Sequence, residues 1–314
     1  MAETTKIQWC DSAFNPWRGC TKISPGCTNC YAEAVSRRNQ NVLGVWGPNG
    51  TRVLASEAMW KKPLAWERRA AASGQPWRVF CASLADVFED WEGQMLDHHG
   101  ALLWRDPRQD WPSPSGGDVP YTLAHARARL WRLIEATPRL TWQLLTKRPD
   151  NMEHMVPASW KLAWPANVWA MTSVEDQPSA DTHIPELLKV PARVRGLSVE
   201  PLLKPVDLAP WLPNPRSNGT LAGYWYEKDP ATPRIRWVII GGESGPNARP
   251  CHLEWVRDLV RQCQEAGVAC FVKQLGANVH WQGGAGIERH GRPNDPKGGN
   301  PAEWPKDLRV REFP

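Results

Sequence analysis

No apolar run in this sequence is long enough to span a bilayer, and no apolar segment of secretory type follows Met1. The expectation is a cytoplasmic protein with no membrane partner. Internal repeats and low-complexity tracts are absent, and so is a Gly-x-Ser-x-Gly nucleophile elbow. The histidines show no metalloprotease spacing, and His98-His99 reads as solvated loop. Gly241-Gly242-x-x-Gly245 lacks the Lys-Ser/Thr of a P-loop and the spacing of a dinucleotide fingerprint, leaving a tight βα turn near a substrate as its reading. Charge of one sign is also scarce. Lys plus Arg number 38 against 33 Asp plus Glu, a net +5, which permits a nucleic-acid partner without requiring one. Eight cysteines in 314 residues are too few for a disulfide scaffold, so any cluster among them points to metal or catalysis.

Three cysteines do cluster. Cys20, Cys27 and Cys30 form C-x6-C-x2-C, with Gly19, Pro25 and Gly26 supplying turn geometry on which three thiolates can converge. Three thiolates suit a [4Fe–4S] cluster with one iron left open, since clusters of the electron-transfer kind use four. A zinc site with Cys10 as fourth ligand and three unrelated buried cysteines remain alternatives at this point. Cys81, Cys251, Cys263 and Cys270 lie in apolar or helical context and read as packing residues. Twenty tryptophans are the other excess. Those in loop-like context (Trp46, Trp91, Trp104, Trp111, Trp211, Trp225, Trp281, Trp304) read mostly as packing anchors, and their flat faces also suit base stacking.

Short apolar runs recur at Arg78–Ser83, Thr141–Thr146, Asn167–Ser173, Val194–Val199, Trp237–Ile240 and Ala269–Lys273, with Lys6–Cys10 a candidate to open the series. Runs without polar alternation suit strands covered on both faces. Helical periodicity marks Thr122–Thr137 and Leu253–Ala266, the latter stopped by Gly267, and a helix is expected over Cys27–Asn39. Alternation of this kind predicts an α/β fold, a partial or full (β/α) barrel, with a doubly wound sheet as the competing layout. The barrel is expected over residues 1–276, with long Pro/Gly-rich insertions at 92–120 and 204–236 and a C-terminal extension over 277–314.

Polar residues stand just beyond the predicted strand ends: Ser83 and Asp86, Lys147 and Arg148, Ser173 and Glu175, Ser198 and Glu200, Glu243 and Ser244, Lys273 and Gln274. In a β/α barrel those ends converge on the mouth where chemistry sits. For any one of them, a loop cap or solvated charge is an equally ordinary reading.

The landmarks Asn15-Pro16-Trp17-Arg18-Gly19-Cys20, Leu145-Thr146-Lys147-Arg148-Pro149, Thr172-Ser173-Val174-Glu175-Asp176-Gln177, Ser198-Val199-Glu200-Pro201-Leu202-Leu203, Ile240-Gly241-Gly242-Glu243-Ser244-Gly245 and Leu308-Arg309-Val310-Arg311-Glu312 span nearly the whole chain. Together with the cysteine loop they resemble the radical S-adenosylmethionine (SAM) superfamily, in its phage-associated three-cysteine-motif branch. The first cysteine gap is six here against the commoner three, and Asn29 stands before the third cysteine, with Tyr31 after it.

The resemblance implies a radical SAM type barrel with a [4Fe–4S] cluster on Cys20, Cys27 and Cys30 and SAM as cosubstrate. Tyr31, Ser83, Asp86 and Ser173 are then the expected SAM contacts, and Lys147, Glu175, Glu200, Glu243 and Lys273 the expected catalytic set. Gly241-Gly242-Glu243 looks like the superfamily's amino-group motif but comes late in the strand order, so Cys81–Asp86 is the better positional match. The implied reaction isomerises an N-linked glycyl group on the thymidine base methyl of phage DNA to a C-linked one, a step of hypermodification that protects viral DNA from restriction. Lys147, Arg148 or Lys273 would hold the glycyl carboxylate. The partners implied are DNA with the modified thymidine flipped out and an electron donor such as flavodoxin or ferredoxin, in the bacterial host cytoplasm if phage-encoded. Another nucleic-acid-modifying or repair radical enzyme, or a zinc-stabilised nucleic-acid-binding protein without catalysis, would keep the same cysteines.

Overall fold

The computed structural model describes residues 5–105, 119–213, 234–283 and 288–314. The stretches 106–118 and 214–233, with Trp111 and Trp225 and much of both expected insertions, lie outside the described residues. Two compact units make up the chain: Met1–Ile23 with Cys30–Trp169, and Ser24–Asn29 with Ala170–Pro314.

The architecture is mixed α/β around a parallel seven-stranded sheet, compatible with a (β/α) barrel-like fold. Its strands run β1 (Ser12–Ala13), β2 (Trp77–Cys81), β3 (Leu140–Thr146), β4 (Val168–Ser173), β5 (Val194–Val199), β6 (Trp237–Gly241) and β8 (Ala269–Gln274), adjacent in that order. Most expected strands fall within a residue or two of their predicted bounds. The apolar runs are covered on both faces, as their lack of alternation requires: all five residues of β6 are buried, and five of six in β5. Lys6–Cys10 is not a strand. The amide of Cys10 donates to Ile7 O (3.4 Å), closing a turn that buries Trp9 and Cys10, and the opening strand is Ser12–Ala13, paired with Val79 and Phe80.

Helices pack their predicted faces. In α3 (Leu123–Glu135), Leu123, Ala126, Leu130 and Ile134 are buried, and Thr122 caps the first turn in a box with His125. In α5 (Leu253–Ala266), Leu253, Val256, Leu259, Val260 and Cys263 are buried, and Gly267 takes the left-handed conformation (φ 64°) that ends it. The expected helix over Cys27–Asn39 is shorter. A 3-10 turn spans Pro25–Cys27, Cys30 is extended (ψ 118°), and the α-helix α1 begins at Tyr31 and ends at Arg38. The Pro-Gly pair and the extended Cys30 keep the cysteine segment out of regular helix.

The first unit's core is aromatic. Phe14 meets Trp60 and Trp142 edge-on at 5.4 and 5.8 Å, and Trp142 Nε1 donates to Thr137 Oγ1 (3.0 Å). In the second unit the residues after Leu308 lie along β8: Val272 N donates to Val310 O (2.9 Å), Glu312 N to Cys270 O (2.8 Å), and Trp237 Nε1 to Glu312 O (2.9 Å). A smaller sheet in the same unit joins β7 (Cys251–His252) in parallel to β9 (Val279–Gln282), which pairs antiparallel with β10 (Glu288–Gly291). The expected C-terminal extension thus carries two strands, β9 and β10. Of the loop-context tryptophans, Trp304 is buried and Trp46, Trp91, Trp104, Trp211 and Trp281 are half-buried, as packing anchors should be. Among the described residues no helix is long and apolar enough to cross a membrane.

Trp142 is fully buried, so Trp142→Ala should cost about 3–5 kcal/mol through cavity and lost packing. Urea unfolding midpoints measure this, and a loss below about 1 kcal/mol would contradict the packing described.

Candidate functional site

The cysteine segment is anchored by buried charge. In the first unit Arg52 and Glu89 form a two-pronged ion pair, Nε to Oε2 and Nη2 to Oε1, each 2.7 Å, with both side chains almost wholly buried. Both close on the residue after Cys20: Arg52 Nη2 donates to Thr21 Oγ1 (2.9 Å), and Thr21 N donates to Glu89 Oε1 (2.7 Å). Arg148 completes the hold, with Nη2 on Thr21 O (2.7 Å), Nη1 on Asp86 Oδ2 (2.9 Å) and Nη1 3.8 Å from Cys20 Sγ. Asp86 also accepts from Thr146 Oγ1 (2.6 Å) and from the amides of Lys147 (3.1 Å) and Phe88 (3.0 Å). Burial, then the charges of Asp86 and Glu89, push the Cys20 thiol up, and Arg148 opposes them.

In the second unit Ser24 Oγ donates to Glu175 Oε1 (2.8 Å), and Gly26 lies so close that a Cβ there would sit 2.2 Å from the same oxygen. Any larger residue there would have to displace the Glu175 side chain. Glu243 takes four donors: Arg249 Nε (2.9 Å), Arg249 Nη2 (2.5 Å), Arg249 N (2.9 Å) and Asn29 Nδ2 (2.9 Å). Arg249 Nη1 donates to Pro25 O (2.9 Å). Burial acts to raise the Glu243 pKa, but the Arg249 guanidinium and amide and the Asn29 amide outweigh it and hold the carboxylate below its usual value. Glu175 precedes Asp176, which caps α4 (Gln177–Lys189) by accepting from Ser179 N (3.1 Å).

The structure brings some predicted residues together. Tyr31 OH donates to Ser83 O (2.8 Å), while the Tyr31 residue stays 54% exposed. Lys273 Nζ donates to Glu200 Oε1 (2.5 Å), and both side chains are mostly buried. Ser173 is buried, and its carbonyl meets His183 Nδ1 (2.8 Å). Asp86, Arg148 and Glu243 are engaged in holding the cysteine segment, and Lys147 meets Asp86 through its amide. Sequence reasoning missed Arg52, Glu89 and Arg249. Glu89 was within reach of it, three residues past Asp86 in the same loop; Arg52 and Arg249 sit in unremarkable loop sequence.

As donors, the three cysteines differ from the rest: all eight are free thiols, and only Cys20, Cys27 and Cys30 lie outside the buried core. Cys10 is buried, with Sγ 3.8 Å from Ile7 O. Among the described residues no three His, Cys, Asp or Glu side chains are gathered as a ready ligand set. Cys27 Sγ is 3.6 Å from Ser24 Oγ, and Cys20 Sγ 3.5 Å from Thr21 O. In softness and exposure the three thiols fit an iron–sulfur cluster.

A model of the family described as Protein of unknown function (DUF5131) matches residues 4–111 and 118–299. No curated protein matches the chain, and no solved structure does.

Because its folded pKa is depressed, Glu243 contributes stability above about pH 4.3, the usual value, and that contribution is lost as pH falls through the lowered one. Arg249→Gln should therefore shrink the loss of stability between pH 6 and pH 3 that wild type shows in urea unfolding. An unchanged difference would mean that Arg249 does not govern this carboxylate.

Proposed function

The chain belongs to the DUF5131 family, and from its cysteine segment we propose that it is a radical SAM enzyme of barrel type. The carrying observation is that Cys20, Cys27 and Cys30 alone among eight free cysteines stand outside the buried core. They are the residues that would hold a [4Fe–4S] cluster. Such a cluster, with SAM bound, supplies the one-electron chemistry that abstracts hydrogen from an unactivated carbon.

The chain's own residues divide the remaining work. Thr21 is gripped by Arg52, Glu89 and Arg148 so that the start of the segment keeps its shape without metal. Ser24, Pro25 and Asn29 are gripped by Glu175, Arg249 and Glu243. Rigid supports of this kind set the position of ligands in advance. Tyr31 offers an exposed ring with its hydroxyl tied to Ser83 O, a flat surface suited to the SAM adenine. Asp86 and Ser173 complete the SAM set of this reading.

We propose as substrate a thymidine in phage DNA that carries an N-linked glycyl group on the base methyl, isomerised to the C-linked form. A glycyl α-carbon flanked by amine and carboxylate stabilises the unpaired electron that hydrogen removal leaves. Lys273, steadied by Glu200, is the cation for the glycyl carboxylate, and Lys147 is the second candidate. The base would be extruded from the duplex before reaction. The net charge of +5 is compatible with a DNA partner. An electron donor of flavodoxin or ferredoxin type completes the cycle.

Anaerobic reconstitution with iron and sulfide should give about four irons per chain and a reduced-cluster paramagnetic resonance signal that shifts when SAM is added. Cys27→Ala should abolish both, while Cys10→Ala should leave the iron content close to wild type. One zinc, no iron and no response to SAM would replace the radical reading with a zinc-stabilised binding protein. With the cluster in place, an oligonucleotide bearing the N-glycyl thymidine should change its fragmentation without changing mass; no change would overturn the substrate alone.

A further inference from the structure

Three histidines stand in one row across the small sheet of the second unit. In register, His252 of β7 faces His280 of β9, and His280 faces His290 of β10. Side chains alternate along a strand, so the neighbours Cys251 and Val279 turn to the opposite face, where both are buried. His252 and His280 are half-buried and His290 is exposed. Ring centroids are 5.1 Å apart for His252–His280 and 5.6 Å for His280–His290, and Trp255 closes the row 4.2 Å from His252.

Those spacings carry chemical information. Two imidazoles that share one ion through nitrogens at about 2.0–2.1 Å place their ring centroids roughly 4.5–5.3 Å apart. The His252–His280 separation falls inside that range, and His280–His290 lies just beyond it. The central ring is also oriented. Asn278 Nδ2 donates to Ala248 O (3.1 Å), which fixes the amide so that Oδ1 is the atom 3.1 Å from His280 Nε2. Nε2 is therefore the nitrogen that donates to this oxygen. Histidines that ligate metals are held in this way, with the second nitrogen donating to a fixed oxygen.

We propose that His252 and His280 form a binding site for a divalent transition-metal ion of the zinc, cobalt or nickel kind, with His290 as the next available donor. Imidazole donors select that class over magnesium and calcium, which require oxygen ligands. No third ligand converges on the pair among the described residues, so an ion held there would take its remaining ligands from solvent. An ion there cross-links β7 to β9. His252 and Trp255 line a pocket with Pro25 and Arg249, so the site lies beside the turn of the cysteine segment while using imidazole donors and no thiolate.

The test uses the metal-free full-length chain and Co2+, because cobalt reports its ligands. Thiolate ligation gives a strong near-ultraviolet charge-transfer band, and imidazole ligation gives only weak visible bands. Wild type and Cys27→Ser should both show the imidazole component, and His280→Ala should lose it, weakening Co2+ binding at least tenfold, roughly as lost ligand support does elsewhere. Asn278→Ala keeps both imidazoles and should weaken the same component by about tenfold, which covers the case in which His280→Ala fails to fold. Co2+ uptake in His280→Ala or Asn278→Ala equal to wild type would overturn the site, as would loss of all uptake in Cys27→Ser.

Discussion

The ion pair between Arg52 and Glu89 is the constraint on which the first unit's part of the cysteine segment depends. Both side chains are out of contact with water, so each has given up a hydration shell worth several kcal/mol. A pair in that position is tolerated only if every remaining donor and acceptor is used. Here they are used partly on the segment itself: the pair binds Thr21 through its amide and its hydroxyl, and Arg52 Nη1 donates to Gly47 O and Thr51 O. The guanidinium of Arg52 also lies over the Trp91 ring at 4.8 Å, which shields it further. Removing one partner would leave an uncompensated buried charge, which is far more costly than the pair is favourable. The segment's shape is thus a condition of satisfying the charges, and the charges are a condition of the shape.

The second unit uses different chemistry for the same end. Glu243 is saturated by Arg249 and Asn29, and Arg249 passes on to the carbonyl of Pro25. Gly26 rests against Glu175 with no room for a methyl group. A turn of Pro-Gly-Cys has little intrinsic order, and side-chain contacts from Glu175, Arg249 and Glu243 supply what the backbone does not. The glutamates and arginines that the barrel-mouth reading groups as chemistry therefore include several whose visible work is to hold this turn.

Much of the fold was legible because β6 is apolar throughout and β5 and β8 are largely so, as doubly covered strands are. The faces of α3 and α5 were legible for the same reason, since 3.6-residue periodicity has no other source. Lys6–Cys10 misled because Trp9 and Cys10 are apolar and buried, as strand residues are, yet the Ile7–Cys10 hydrogen bond makes a turn. Helix over Cys27–Asn39 was over-read because composition does not reveal that Cys30 is extended. At the site, the cysteines were legible from spacing alone. Arg52, Glu89 and Arg249 were not, because a charge in a loop reads as solvated until its burial is known. The histidine row was equally hidden: His252, His280 and His290 are far apart in sequence, and only strand register aligns them.

The residues after Leu308 have a further consequence. Strand β8 is last in the sheet order, and Val310 and Glu312 occupy its outward-facing backbone groups. An outermost strand left bare is a template for pairing with another molecule. These few residues cover that edge, with the indole of Trp237 fastening them in place at Glu312.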